Sequence, residues 1–133
     1  MEHRFWVSVG LLIARVGAAG LLIYGHGWKK MADFSQIATT FPDPLGLGAP
    51  TSLALAVFAE VVCAVAVLVG LATRVAAIPI VFMLLVAAFK VHAADPWPQK
   101  EFALIYAVPF LALIFTGPGR FSLDTIVWPK LKT

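Results

Sequence analysis

Four long apolar runs, Phe5–Tyr24, Ser52–Leu71, Val75–Phe89 and Phe102–Phe115, occupy most of this 133-residue chain and limit its fold more than any motif does. A helix needs ~20 residues to cross a hydrocarbon core about 30 Å thick, and four such segments with short loops use the whole length. Barrel strands would alternate polar and apolar residues, and these runs do not. With 61% hydrophobic and 13% charged residues and a mean hydropathy of +0.92, the composition also argues against a soluble domain. The expected fold is an all-α integral membrane protein: a four-transmembrane-helix bundle in a lipid bilayer, one domain over 1–133, with spans near 5–26, 52–71, 75–92 and 100–117.

The first run resembles a secretory signal in length, but Arg15 interrupts it and no A-x-A-like site leads into a soluble domain, so it reads as a retained span. The net charge of +3 carries no long basic run or interleaved basic and aromatic patch, which argues against nucleic acid. Four spans put both termini on one side. Arg4, Arg74, Arg120, Lys130 and Lys132 lie there, against Lys29, Lys30, Lys90 and Lys100 at the other end, which favours cytoplasmic termini in a bacterial inner membrane.

Gly10, Ala14 and Ala18, with Gly17 and Gly20 nearby, form a small-residue ladder expected to pack the first span closely against its neighbours. Trp28, Met31, Phe34, Ala38 and Phe41 recur at three- and four-residue steps, so Trp28–Phe41 is expected to be an interfacial or re-entrant helix in the first outer loop. Pro42-Asp-Pro44 stops it, and Thr51 or Ser52 is placed to cap the second span. Pro79 and Pro109 each remove a backbone hydrogen bond within an apolar run, where a kink can open space for a ligand.

Two charges lie inside the first two runs. A charged side chain near a bilayer centre costs at least ~2.5 kcal/mol, so Arg15 and Glu60 are expected to be paired or functional. If the first helix ends at His26, Arg15 lies ~16 Å deep at ~1.5 Å per residue, and Glu60 ~12 Å from the same surface, so the two are expected to meet. Eleven residues make three turns and about 20°, which puts Arg15 and His26 on one stripe. The same outer end gathers Lys29, Lys30, Lys90, His92 and Glu101. The spacing therefore suggests an outward-opening polar pocket, with Arg15, His26 and Glu60 as catalytic candidates and Lys29, Lys90 and His92 at a ligand-binding rim. The competing reading is a register-fixing ion pair beneath snorkelling lysines.

Cys63 stands alone, which excludes an internal disulfide or a CxxC relay. His26 and His92 lack the further ligands of a haem or metal motif, so no haem or metal is expected. Gly25-His-Gly27 and Gly117-Pro-Gly119 have neither the Lys nor the preceding strand of a phosphate loop.

Three stretches, RVGAAGLLIYGHGWKK (Arg15–Lys30), FAEVVCAVAVLVGLATR (Phe58–Arg74) and GPGRFSLD (Gly117–Asp124), occur in an order that resembles the DoxX family of small four-helix membrane proteins. Arg15, His26, Glu60, Arg74 and Asp124 occupy family motif positions. The resemblance implies an oxidoreductase component linked to quinones, because the family takes its name from a quinol oxidase subunit. It implies a quinone as cofactor and a membrane or redox protein as partner, with a homo-oligomer also compatible. In that reading His26 bonds a carbonyl or hydroxyl, Glu60 relays the proton, Arg15 sets its charge state, and Asp124 docks on the second loop beside Arg74. A non-enzymatic assembly subunit and a small-molecule permeation or export protein remain as alternatives.

Overall fold

A computed structural model describes residues 2–127. Lys130 and Lys132, counted above toward the charge bias, lie outside the described residues. All regular structure among the described residues is helical, and four helices are long and apolar enough to cross a membrane.

The first span, His3–Ala32, comprises α1 (Glu2–Leu22), a π-helical turn (Ile23–Gly27) and α2 (Trp28–Ala32). A short α3 (Phe34–Ile37) follows. The second span, Ala49–Val69, comprises α4 (Ala49–Val57), a π turn (Phe58–Cys63) and α5 (Ala64–Val69). The third, Thr73–Val91, is α6 (Thr73–Val86) closed by a π turn (Ala87–Val91). The fourth is α7 (Trp97–Thr116), and α8 (Asp124–Val127) follows it. The spans pack in chain order around a ring: α1 lies against α5 and α7, α5 against α6, and α6 against α7.

Helices extend beyond the expected ends of the first, second and fourth spans, to Ala32, back to Ala49 and back to Trp97. His26 does not end the first helix, because the π turn passes the chain directly into α2 through the Trp28 N–H to Ile23 carbonyl bond. The segment expected as a single helix over Trp28–Phe41 is α2 and α3 joined at Asp33. The fourth span begins five residues before its apolar run, since Pro98 sits in the first turn, where a backbone N–H would have no partner anyway. Gly117, at φ +74, ends it.

The core is built largely from alanine. Ala19, Ala59, Ala64, Ala77, Ala88, Ala103 and Ala107 are buried, which lets helix backbones approach closely, while Phe110, Ile80, Leu22 and Leu53 fill the remaining space. Large side chains such as Ile13, Phe82, Val108 and Phe115 point outward, as lipid contact permits. The ladder is corrected in part: Gly10, Ala14 and Gly17 are exposed, with nothing within 4 Å of a Cβ placed on Gly10 or Gly17, whereas Ala18 packs against the core and Gly20 is half-buried beside Leu68. The packed face of α1 is instead Ser8, Arg15, Ala19 and Leu22, at helical steps of seven, four and three.

Candidate functional site

The expected meeting of Arg15 and Glu60 does not occur. Glu60 is 2% exposed, and its Oε1 accepts a hydrogen bond from Lys30 Nζ at 2.8 Å. Gly27 sets this register: a Cβ there would lie 2.6 Å from the Glu60 carbonyl oxygen, so only glycine lets the two backbones touch. Arg15 lies twelve residues before Gly27, about 18 Å along the helix axis. The two depths differ from expectation because neither His26 nor Ser52 is a helix end: the first span runs on to Ala32 and the second starts at Ala49.

Both π turns sit at this level. A π turn holds one extra residue per turn, which rotates everything beyond it by about 100° relative to an unbroken α-helix. The stripe expected to join Arg15 and His26 is thereby redirected. His26 packs edge-on against Phe102 and Tyr106 of the fourth span, with ring centroids 4.6 and 5.6 Å away, while Lys30 reaches the second span. Among the described residues no cluster of three His, Cys, Asp or Glu side chains forms a metal site.

Beside the Lys30–Glu60 pair lies a cavity of about 450 Å³, within the ordinary size of a small-molecule site. Its walls are apolar, with Phe58, Pro79, Phe82 and Met83 from the second and third spans, and the Phe41–Leu47 segment of the first loop beside them. The polar groups at its edge are Lys30, Glu60, Ser52 and His92. Among the described residues, Glu60 Oε2 is buried without a hydrogen-bond partner, so the acceptor capacity of that oxygen is unused. Of the two proline kinks anticipated, Pro79 lines the cavity and Pro109 does not.

The loop wall is fixed by Asp43. Its Oδ1 accepts from Leu47 N–H (2.9 Å) and Ser52 Oγ (2.7 Å), and its Oδ2 from Gly48 N–H (2.9 Å). Ser52 therefore donates to the loop rather than capping the second span. The Ser52 hydroxyl and then the Gly48 and Leu47 amides hold the Asp43 carboxyl below its ordinary range.

Of the residues read as a pocket rim, His92 lines the cavity and its Nδ1 lies 2.7 Å from Asp95 Oδ2; Lys29 and Lys90 are exposed and outside the lining. Glu101 accepts from Trp97 Nε1 at 2.9 Å. His26 and Arg15 are also outside the lining. Lys30, which looked like an interfacial snorkelling group, is the residue the sequence reading misplaced. The signal that would have found it is the continuation of helical periodicity past Gly27.

Arg15 is instead the anchor of the opposite end. It is 1% exposed, and its Nη2 donates to the Phe121 carbonyl at 2.6 Å. Gly70, at φ +79, ends α5 in a Schellman turn, with Leu71 N–H to Ala66 O and Gly70 N–H to Val67 O. A Cβ on Gly70 would collide with Ser122 Cβ and lie 2.5 Å from Arg15 Nη1, so the three are interlocked. Asp124 docks on the second loop as expected, but it does not pair with Arg74. Its carboxylate accepts from the Ala72 and Thr73 amides at 2.7 and 3.3 Å, capping α6 and supporting Ala72 at φ +49. Arg74 Nη2 lies 3.5 Å from the Thr116 carbonyl oxygen.

The arrangement can be set beside known proteins. The family model for DoxX matches residues 10–93, which include Arg15, the Gly25-His-Gly27 turn, Lys30, Glu60 and Gly70. The chain belongs to the DoxX family. This DoxX protein is 30% identical over 105 residues to an uncharacterized protein of Haemophilus influenzae, covering 75% of this chain and 70% of that one. It is 32% identical over 120 residues to an uncharacterized membrane protein of Mycobacterium tuberculosis, covering 79% of this chain and 74% of the relative. No solved structure matches it.

Proposed function

We propose that this DoxX protein is a component of a membrane oxidoreductase that holds a quinone-like or other small amphipathic ligand in the cavity beside Glu60. The single observation carrying this reading is a buried carboxylate, tethered through one oxygen to Lys30 and unpartnered at the other, at the edge of an otherwise apolar cavity. An apolar ring and tail fit the walls, and the polar edge suits a carbonyl or hydroxyl. Lys30 and His92 are the donors available to a carbonyl, and Glu60 Oε2 is the acceptor for a hydroxyl. When the ligand is a quinol, its oxidation gives two electrons to a membrane redox partner and two protons, one taken by Glu60 and the other released to water at the polar edge of the cavity. Lys30 is the counter-charge of the carboxylate that accepts it. His26, against the fourth-span aromatics, supports the turn that aims Lys30 and does not itself meet the ligand. The protein lies in a bacterial inner membrane with both termini cytoplasmic in this reading; a reporter fused after Thr133 that is active only outside the cytoplasm overturns that orientation.

Decylubiquinone titrated into the full chain in quinone-free nanodiscs tests the site, with binding followed by intrinsic tryptophan fluorescence. Saturable one-to-one binding is expected, weakened at least tenfold by Glu60→Gln and by Lys30→Met and unchanged by Arg15→Met. Binding that is absent, or indifferent to both cavity substitutions, removes the proposal.

A further inference from the structure

The end of the bundle that carries the first residues and the C-terminal hook contains a second, separate cleft of about 710 Å³. It lies between the start of α1, the start of α6 and the Gly117–Arg120 turn, and its walls bring together His3, Arg4, Arg74 and Arg120. Asp124 is the carboxylate in this lining, and both of its oxygens are already engaged by the Ala72 and Thr73 amides. Among the described residues no other carboxylate lines the cleft, and no ion pair engages the three guanidinium groups.

Two further details shape it. Thr73 is fully buried, lines the cleft, and its Oγ1 has no hydrogen-bond partner, an orphaned donor of the kind a native interior rarely leaves. Gly117 lies directly against the Arg74 guanidinium: a Cβ there would sit 3.0 Å from Nε and 3.4 Å from Nη2, so the bare backbone leaves Arg74 room to lie across the turn. Arg74 makes one long contact, to the Thr116 carbonyl, which leaves most of its donor fork unused.

Three exposed guanidinium groups and a buried hydroxyl lining one cleft supply donors that suit the oxygens of a phosphate better than those of any single carboxylate. The position matches as well, because Thr73 and Thr116 are the terminal residues of two spans, which places the cleft at the level of lipid headgroups. We propose that this cleft is a binding site for a phosphate group, held by Arg4, Arg74 and Arg120 with the Thr73 hydroxyl beneath. The phosphate is that of an anionic lipid headgroup or of a small soluble phosphate compound, and the site is independent of the cavity at Glu60.

The test uses the full chain purified in a neutral detergent and titrated separately with dihexanoyl phosphatidylglycerol and with inorganic phosphate, by isothermal titration calorimetry. Saturable binding of either supports the site: preference for the lipid assigns the headgroup, and equal or tighter binding of inorganic phosphate assigns a soluble source. The pair Arg74→Gln with Arg120→Gln is expected to weaken binding at least tenfold, whereas Lys90→Gln with Lys100→Gln, which removes the same charge from the other end, changes it less than twofold. Should the arginine pair not yield monodisperse protein, Arg4→Gln, on the exposed first turn, is expected to weaken binding about threefold. Equal losses in both charge-matched pairs, an Arg4→Gln protein that binds like wild type, or no saturable binding of either probe overturns the proposal.

Discussion

The two ends of the bundle both bury charge, Glu60 at one and Arg15 with Asp124 at the other, and they stabilise it differently. At the loop end, Glu60 meets an opposite charge on the neighbouring span, keeps one oxygen free and faces a cavity. At the other end, Arg15 bonds a backbone carbonyl of the C-terminal hook, faces the Asp124 charge, and lies within tightly interlocked backbone at Gly70 and Ser122. The first arrangement leaves space and an open valence, which chemistry requires. At the second, a larger cleft lies nearby but Arg15 does not line it, and the backbone at Gly70 and Ser122 fills the space beside the guanidinium, whose Nε and Nη1 are also without partners among the described residues. A buried, partly unpartnered charge is thus not by itself a sign of function; the free volume beside Glu60 is what the proposed ligand site rests on.

The largest effect that probes this contrast is expected at Gly70. Gly70→Ala places a methyl group where Ser122 and Arg15 already lie and forces a left-handed backbone on a residue with a side chain, so about 3 kcal/mol or more of stability is lost. Thermal unfolding in detergent and the yield of monodisperse protein measure it. A variant as stable as wild type would mean that the hook is only loosely docked.

Next comes the exchange of roles between the two charges. Arg15→Met is expected to cost ~1 to 3 kcal/mol, because the Phe121 carbonyl loses its donor and Asp124 its nearest buried cation, while decylubiquinone binding stays intact. Glu60→Gln is expected to do the reverse, with stability changed by about 1 kcal/mol and binding by at least tenfold, since glutamine keeps the shape and still accepts a hydrogen bond from the partly exposed Lys30 but carries no charge and takes up no proton. Unfolding and binding measured on both proteins decide it; if both variants lose mainly folded protein, each charge is a register lock and the contrast disappears.

The smallest effect belongs to Asp43. Asp43→Asn keeps the side chain's size but weakens the acceptors that tie Leu47, Gly48 and Ser52, so the 41–47 loop beside the cavity should become more open to limited proteolysis while the spans stay intact. The pH dependence follows from the same bonds. The folded carboxyl is held below its ordinary value of 3.8, so the unfolded loop binds a proton first. The contribution of Asp43 is therefore complete above that ordinary value and disappears as pH falls through the lower, folded one. Protease susceptibility of the wild-type loop should rise only in that acid window, and Asp43→Asn should abolish the rise. A loop cut equally in both proteins at neutral pH would show that the staple does not close that wall.

Much of the fold was legible because lipid solvation is a strong local constraint: each apolar run must satisfy its backbone within itself, and the only single-segment solution is a helix. The docking of Ser122-Leu-Asp124 on the second loop was legible too, from the family motif positions of Arg74 and Asp124 at one end of the bundle, although Asp124 takes the loop amides and not Arg74. What misled was the assumption of unbroken α-helix. Arg15 and His26 fall on one stripe only if no turn between them holds an extra residue, and the Ile23–Gly27 π turn holds one. The small-residue ladder misled in part: Gly10, Ala14 and Gly17 permit close packing but stay exposed, Ala18 does pack against the core, and Ser8, Arg15, Ala19 and Leu22 carry the buried face, because permission does not choose the neighbour.

The amino-acid sequence by itself determined that this is a four-span helical membrane protein resembling the DoxX family, and that Arg15 and Glu60 had to find buried partners or a function. Tertiary structure alone decided which partners those were. Span ends, helical phase and helix contacts are set by the sum of packing across all four spans, so a one-residue change of phase at a π turn sends Lys30 to Glu60 and leaves Arg15 to the hook. Pairing is a property of that summed geometry, whereas the cost that demands a pair is local to each charge.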